Sequence, residues 1–421
     1  MINIIVAVDK NFGIGKDNNL PWDISEEMKI FRKKTYDQIC VVGRKTFETL
    51  PELKNRKVIQ VSRKDLLFDD VVKEYNDFFV IGGADLYSYV LRNHKINSKI
   101  HISFIKNEYD CDTYFDKYLL KDFYILSKEY YNEFDHCEMI YKKYGEYQYL
   151  ELLKDVLENG EKRVGRNGSI ISDFSKHLKF DLREGFPLLT TKKMFLKGII
   201  EELLWFLRGS TNSKELEEKG VNIWRGNSTR EYLDSIGLFD YPEGELGPIY
   251  GFQWRSFNGK IDQLKYLLEE LQLNNSRRAL ISAWNPCQLK EQALPPCHLI
   301  YNFYKSNDNS LSCMMYMRSS DLFLGLPFNI ASTALLLMII ARLSGMKAKY
   351  IGISICDCHI YEEHIEEIKK QLERECYKFP EVKLEINNQE KDKIKIIETL
   401  KFEDFQLNNY TCHEALKGIM K

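Results

Sequence analysis

Through residues 1–145, short runs of β-branched and aromatic residues alternate with stretches of helical periodicity, and from about Tyr147 that alternation stops. The runs fall at 2–8, 39–42, 58–61, 78–81 and 100–105. Strands separated by helices predict a mostly parallel sheet flanked by helices, an α/β domain. The second half mixes long helical patterns, at 196–208 and 330–343, with strands at 311–318 and 351–355, and reads as α+β. The expected division is therefore 1–145 and 146–421. The join across 144–151 carries no Pro/Ser-rich linker, so the two halves are expected to lie close together. A charged run at 387–395 reads as a solvated loop and strand edge.

Composition narrows the function classes. With 421 residues the chain is too long for one core, and 44% hydrophobic with 29% charged residues exclude a largely disordered one. Sixty Lys+Arg against sixty-two Asp+Glu leave a net charge of −2, with no basic excess to hold a nucleic-acid backbone. The most apolar stretch, 330–340, contains Ser332 and Thr333 and is too short to span a bilayer, so no membrane partner is expected. Ten cysteines without framework spacing, behind an N-terminal apolar run too short for a signal peptide, point to a reducing, cytoplasmic compartment.

In the first half, Pro21 precedes a helix that Asp23 or Ser25 can cap. Helical spacing puts Glu27 between Ile30 and Phe31 on the apolar face, with Lys29 and Lys33 pointing away. A carboxylate on the core side either reaches round to water or awaits a cationic ligand in an apolar cleft. Gly13-Ile14-Gly15 lacks the third glycine of a dinucleotide fingerprint and reads as a loop. Gly43-Arg44-Lys45-Thr46 follows a strand and opens a helix, where N–H groups and two cations suit phosphate. Ser62-Arg63 suits a phosphate monoester, and the glycines of Ile81-Gly82-Gly83-Ala84 allow close approach of a flat ligand.

Together with Leu20-Pro21-Trp22 and Asp112-Thr113-Tyr114-Phe115, these segments closely resemble the dihydrofolate reductase family over residues 1–145. The resemblance implies hydride transfer from NADPH to a pterin, with Glu27 binding and helping to protonate it. Phe31, Arg56 and Ser103 would join Glu27 in the folate site, Arg56 pairing with the glutamate carboxylate and Ser103 standing where the family usually has threonine. Ala7, Ile14, Gly15, Gly43, Arg44, Lys45, Thr46, Ser62, Arg63, Ile81, Gly82, Gly83, Ala84 and Tyr87 would hold NADPH.

In the second half, Pro296-Cys297-His298 places a thiol beside an imidazole, but neighbours on an extended strand point to opposite faces, so His298 is not the expected base. A thiol of ordinary pKa near 8.5 is only about 3% ionised at pH 7, so Cys297 needs another activator, for which Arg277, Arg278 and Arg318 are available. Cys40, Cys111, Cys137 and Cys376 read as inert buried thiols. The spacing in Cys356-Asp357-Cys358-His359 is wrong for zinc, and no metal is expected. On the helix 196–208, Glu201 projects with Arg208 and reads as solvated. Glu202 lies between Trp205 and Phe206, where shielding raises its pKa toward a useful acid–base value.

With Phe186-Pro187-Leu188-Leu189-Thr190-Thr191, Glu202-Leu203-Leu204-Trp205, Gly247-Pro248-Ile249-Tyr250-Gly251, Ser276-Arg277-Arg278 and Gly325-Leu326-Pro327-Phe328-Asn329, this half resembles the thymidylate synthase family over about 147–421. The resemblance implies reductive methylation of dUMP by 5,10-methylenetetrahydrofolate through a Cys297 thiolate adduct. Arg163, Arg318 and Ser319, with Arg277 and Arg278 of a second subunit, would bind the phosphate, which makes a homodimer the expected state. Asn329 would read the uracil, and His359 and Tyr361 the ribose. Glu202 and Tyr250 would move protons, Asp321 would line both the dUMP and the folate sites, and Trp224 would pack on the folate. Met314, Met317, Arg225, Cys356, Cys358 and the ending Ile419-Met420-Lys421 depart from the family pattern. A chain with both resemblances would make dTMP and return the dihydrofolate product to tetrahydrofolate. A reductase with the synthase kept only as a dimer scaffold is the alternative, and weak messenger-RNA binding is a lesser one.

Overall fold

The computed structural model describes residues 2–95, 98–141, 145–165, 168–273, 276–386 and 390–419. Backbone contacts divide the chain into two compact units, Met1–Tyr147 and Gln148–Lys421.

The first unit contains strands β1 (Ile2–Val8), β2 (Gly13–Gly15), β3 (Ile39–Gly43), β4 (Lys57–Val61), β5 (Phe78–Val80), β6 (Ser98–Ile105), β7 (Thr113–Tyr114), β8 (Phe123–Tyr130) and β9 (Phe134–Tyr141). Seven of them form one sheet in the order β4-β3-β5-β1-β6-β9-β8. Only β9 runs antiparallel to its neighbours. The centre of the sheet is buried on both sides, which its near-continuous apolar strands require. One face packs Ile4, Val6 and Ile102 against Phe68, Val71, Val90 and Leu91 from the helices Phe68–Glu74 and Ala84–Asn93. On the other face, Ile5, Cys40 and Phe79 meet Phe31 of the helix Ser25–Thr35.

Two local expectations are corrected. The N-cap of the helix Ser25–Thr35 is Ile24, and no side chain caps it. Ile24 is buried beside Trp22, Ile105 and Phe134, so apolar anchoring sets the helix start instead of Asp23 or Ser25. Gly13–Gly15 is not a loop but the strand β2, paired with β7.

The second unit contains β10 (Glu161–Gly165), β11 (Gly168–Asp181), β12 (Leu280–Ser282), β13 (His298–Lys305), β14 (Ser310–Asp321) and β15 (Lys347–Tyr361), followed by the pair β16 (Glu381–Leu384) and β17 (Phe405–Asn408). The six-stranded sheet runs β10-β11-β15-β14-β13-β12, with β14 and β15 parallel and the other neighbours antiparallel. The helix Leu196–Arg208 has the expected bounds and ends on Gly209, whose left-handed φ of 76° suits a residue without Cβ. The helix Gly325–Leu343 begins five residues before the expected start at 330, with Pro327 in its first turn, where no intrahelical N–H bond is lost. It is long and apolar enough to cross a membrane, but most of it is buried in the core.

The reading of 387–395 fails in part. Residues 387–389 lie outside the described ones, as does Tyr144 in the join. Asp392 accepts from Ile394 N and Lys395 N and caps a helix, Lys393–Thr399, that buries Ile396 and Ile397. The charge pattern hid an ordinary capped amphipathic turn.

Candidate active sites

In the first unit the site begins with Glu27, which is only 6% exposed. Ser103 Oγ on β6 donates to Glu27 Oε1 at 3.3 Å. Burial pushes the Glu27 carboxyl above its ordinary range, and the Ser103 bond pulls part of that back. Among the described residues no cation pairs with Glu27, so the cleft offers an uncompensated acid. Phe31 lies against the cluster of Ile5, Cys40 and Phe79, which also takes in Ile81. Among the described residues Arg56 donates only to neutral oxygens, Thr35 Oγ1 at 2.9 Å, Lys54 O at 2.7 Å and Arg32 O at 2.9 Å. Its charge is thus oriented but not neutralised.

The expected dinucleotide residues are spread over β1, β2, the end of β3 and the helix Arg44–Thr49, the segments after β4 and β5, and the helix Ala84–Asn93 of the same unit. Gly43 N donates to Gly82 O at 2.8 Å. A Cβ on Gly83 would stand 2.7 Å from Thr46 Oγ1, so the two segments can touch only with glycine there. Ala84 opens the helix behind them, and buried Tyr87 donates to Ile5 O at 2.8 Å. Ala7 packs near Trp22 and Ile14 against the main core, with Gly15 in β2. Lys45 and Arg63 are exposed. Arg44 pairs with Glu48 at 2.6 Å, and Ser62 Oγ donates to Asp65 Oδ2 at 2.8 Å, so neither stands open as the sequence suggested.

In the second unit sheet register assembles the site. Cys297 immediately precedes β13, and its carbonyl accepts from Arg318 N at 2.9 Å. The Arg318 guanidinium turns back, donating Nε to Pro296 O at 2.8 Å and Nη2 to Pro295 O at 2.9 Å, and brings Nη2 to 3.6 Å from Cys297 Sγ. Tyr250 Oη accepts from Cys297 N at 2.7 Å. Further along, Ser319 pairs with Asp357 and Asp321 with His359. Asp357 bridges Arg163 at 3.2 Å and His359 Nδ1 at 3.2 Å, while Ser319 Oγ lies 3.4 Å from the same nitrogen. The Tyr361 ring meets His359 edge-on at 5.3 Å. Asp321 Oδ1 accepts from Phe323 N at 2.8 Å and opens the turn into the helix that carries Asn329. Arg277 and Arg278 are exposed and make no ion pair among the described residues.

The two carboxylates of the helix Leu196–Arg208 divide differently from expectation. Glu201 is not solvated: it is 5% exposed and pairs with Lys219 at 2.6 Å. The helix is enclosed on nearly all sides, so a seven-residue offset from Arg208 does not fix exposure. Glu202 keeps some open surface, yet burial of its carboxyl pushes it up to about 7. The donor that sequence reading missed is Trp224, whose Nε1 gives Glu202 Oε1 a 2.8 Å bond. His298 is buried, its pKa driven down to about 3 by burial, and its ring stacks on Tyr250 at 4.0 Å. A neutral ring held against Tyr250 and Tyr301 packs the site and leaves the thiol to Arg318. Among the departures, Met317 is buried opposite His298 and Met314 covers Gly352. Cys356 is exposed and Cys358 buried, and Arg225 is exposed.

A buried acid on a helix against an α/β sheet, followed by a thiol held beside a guanidinium at the start of a strand in a mixed sheet, defines a two-domain enzyme with separate acid and nucleophilic chemistry. Comparison with known proteins gives the same division. The dihydrofolate reductase family model matches residues 1–147 and the thymidylate synthase model residues 147–421. The chain is 38% identical to the bifunctional dihydrofolate reductase-thymidylate synthase of Paramecium tetraurelia over 99% of its length and 97% of that protein's. It is 35% identical to bifunctional dihydrofolate reductase-thymidylate synthase 2 of Arabidopsis thaliana over 98% and 87%. For the Leishmania major protein of the same description the identity is 33% over 99% and 94%. The chain belongs to the bifunctional dihydrofolate reductase–thymidylate synthase family and carries both activities.

Proposed function

We propose that Cys297 is the synthase nucleophile and Glu27 the reductase acid, with activities divided at residues 1–145 and 146–421. Arg318 carries the synthase reading: a guanidinium nitrogen 3.6 Å from Sγ stabilises the thiolate. That thiolate adds to C6 of the uracil of dUMP, forming an S–C bond and making C5 nucleophilic. Arg163, Arg318 and Ser319 bind the phosphate, with Asp357 holding Arg163 in place. Asn329 reads the uracil, His359 and Tyr361 the ribose, and Asp321 and Trp224 bound the folate side. Glu202, poised near neutrality, and Tyr250, on the Cys297 backbone, handle the protons.

In the reductase, Glu27 holds the pterin and supplies its proton, Phe31 packs on the folate, and Arg56 receives its carboxylate. The glycine contact at Gly43, Gly82 and Gly83, with exposed Lys45 two residues on and exposed Arg63 two residues past Val61, which pairs with Gly43 in the sheet, suits a phosphorylated dinucleotide. When bound, NADPH supplies hydride to the reductase, and 5,10-methylenetetrahydrofolate supplies the one-carbon unit and hydride to the synthase.

A homodimer completes the synthase reading: Arg277 and Arg278 of the partner join the phosphate site. Phe174, Tyr304 and Tyr316 are 74%, 69% and 43% exposed on the sheet, apolar area that a second copy would cover. Tritium release from 5-labelled dUMP by the pure chain tests the synthase reading, and absence of release from folded dimer would leave the synthase domain a scaffold.

A further inference from the structure

Ser103 has a second neighbour that the reductase reading does not use. In the β6–β9 ladder Ser103 stands opposite His136, and Ser103 Oγ lies 3.0 Å from His136 Nδ1. His136 is 3% exposed, and its Nε2 is buried without a partner among the described residues. His101, 4% exposed, stacks on it at 6.3 Å. Burial drives the His136 pKa down to about 4, so at neutral pH the ring carries one N–H. If Nε2 held that proton, a buried donor would have no acceptor. On Nδ1 it reaches Ser103 Oγ and leaves only a bare lone pair behind, which costs less.

We propose that His136 is a positioning residue for the reductase: its Nδ1–H donates to Ser103 Oγ and so commits the serine proton to the Glu27 carboxylate. This rests on the reading of Glu27 as the reductase acid. Serine lacks the γ-methyl that would stiffen its χ1, so a second bond is what fixes the hydroxyl. The charged and titratable groups around His136 are Lys34 on the Glu27 helix, His101 on β6, Glu129 on β8 and Glu138 on β9. Glu138 is neutralised by Lys34 and Lys99, each at 2.5 Å, and Glu129 accepts from Tyr131 Oη at 2.7 Å; their pull on the imidazole is outweighed by its burial, which keeps the ring neutral.

The test is the pH profile of dihydrofolate reduction by the full-length chain. Reduction requires protonated Glu27, so the rate falls as pH rises through its pKa. His136→Phe lets Ser103 rotate away, the carboxylate loses its donor, and the midpoint moves up by about half to one pH unit. His136→Asn, which keeps an N–H at the Nδ1 position, retains the wild-type midpoint. Ser103→Ala moves the midpoint as far as His136→Phe, and the double variant moves it no further. An unmoved or lowered midpoint in His136→Phe, or an additive double variant, overturns the proposal. Should His136→Phe fail to fold, ¹⁵N spectra of histidine-labelled wild type decide: protonated Nδ1 supports the proposal and protonated Nε2 overturns it. Glu27→Gln separates the two readings. If the pH limb disappears in Glu27→Gln while His136→Phe leaves the wild-type limb in place, the relay alone fails; if Glu27→Gln keeps the limb, the reading of Glu27 fails and the relay with it.

Discussion

Glu27 and Glu202 are both acids raised by burial, but their hydrogen-bond donors differ in kind. Ser103 donates to Glu27 through a hydroxyl, whose oxygen can itself accept from a further donor such as His136. The Trp224 indole can only donate, so it favours Glu202 as the carboxylate and opposes the burial that raises it. Their surroundings differ likewise: a helix face and strand ends frame Glu27, whereas sheet register locks the synthase residues to one another.

The largest effects would break this comparison outright. Cys297→Ser should lower dTMP formation by about 10⁴-fold or more while dihydrofolate reduction proceeds unchanged, measured by tritium release and NADPH absorbance on one preparation. Glu27→Gln should do the reverse, cutting reduction by about 10²–10⁴-fold and sparing tritium release. If either substitution silenced both activities, the assignment of one acid or thiol to each unit would fail.

Smaller effects sharpen it. The raised Glu202 carboxyl has a sign for stability: the folded state holds a proton that the unfolded chain releases above about 4.5, so stability falls as pH rises from there through about 7. Glu202→Gln should remove that slope and stabilise the synthase unit at pH 8 by about 1–3 kcal/mol, read from urea midpoints at two pH values. Equal pH slopes in both proteins would contradict it. Trp224→Phe deletes the only side-chain donor to Glu202 among the described residues. The alkaline-rising limb of synthase kcat should move up by about half to one unit, and a downward shift would show the indole plays another part.

The sequence revealed the parts whose signal is local. The alternating runs at 2–8 and 39–42 became β1 and β3, and the apolar seam of 196–208 became a helix with those bounds. Glu27 and Glu202 were legible as carboxylates on apolar helix faces, and Cys297 as a thiol in need of an activator, with Arg277, Arg278 and Arg318 offered elsewhere in the sequence. What stayed hidden depends on distant pairing. Nothing near Ser103 in sequence announces His136, which arrives through the β6–β9 register, and Trp224 reaches Glu202 across 22 positions. Glu201 was misread because Lys219, which offsets its burial, lies on a separate segment. Asp392 was misread because a cap within a charged run looks like more charge.

The central claim is that Cys297, beside Arg318, attacks the pyrimidine. Intact-mass and peptide mass spectrometry of the chain incubated with 5-fluoro-dUMP and 5,10-methylenetetrahydrofolate tests it most directly. One covalent adduct per chain, mapped to the peptide containing Cys297 and lost in Cys297→Ser, is the predicted result; an unmodified Cys297 in protein that still releases tritium from 5-labelled dUMP would contradict it.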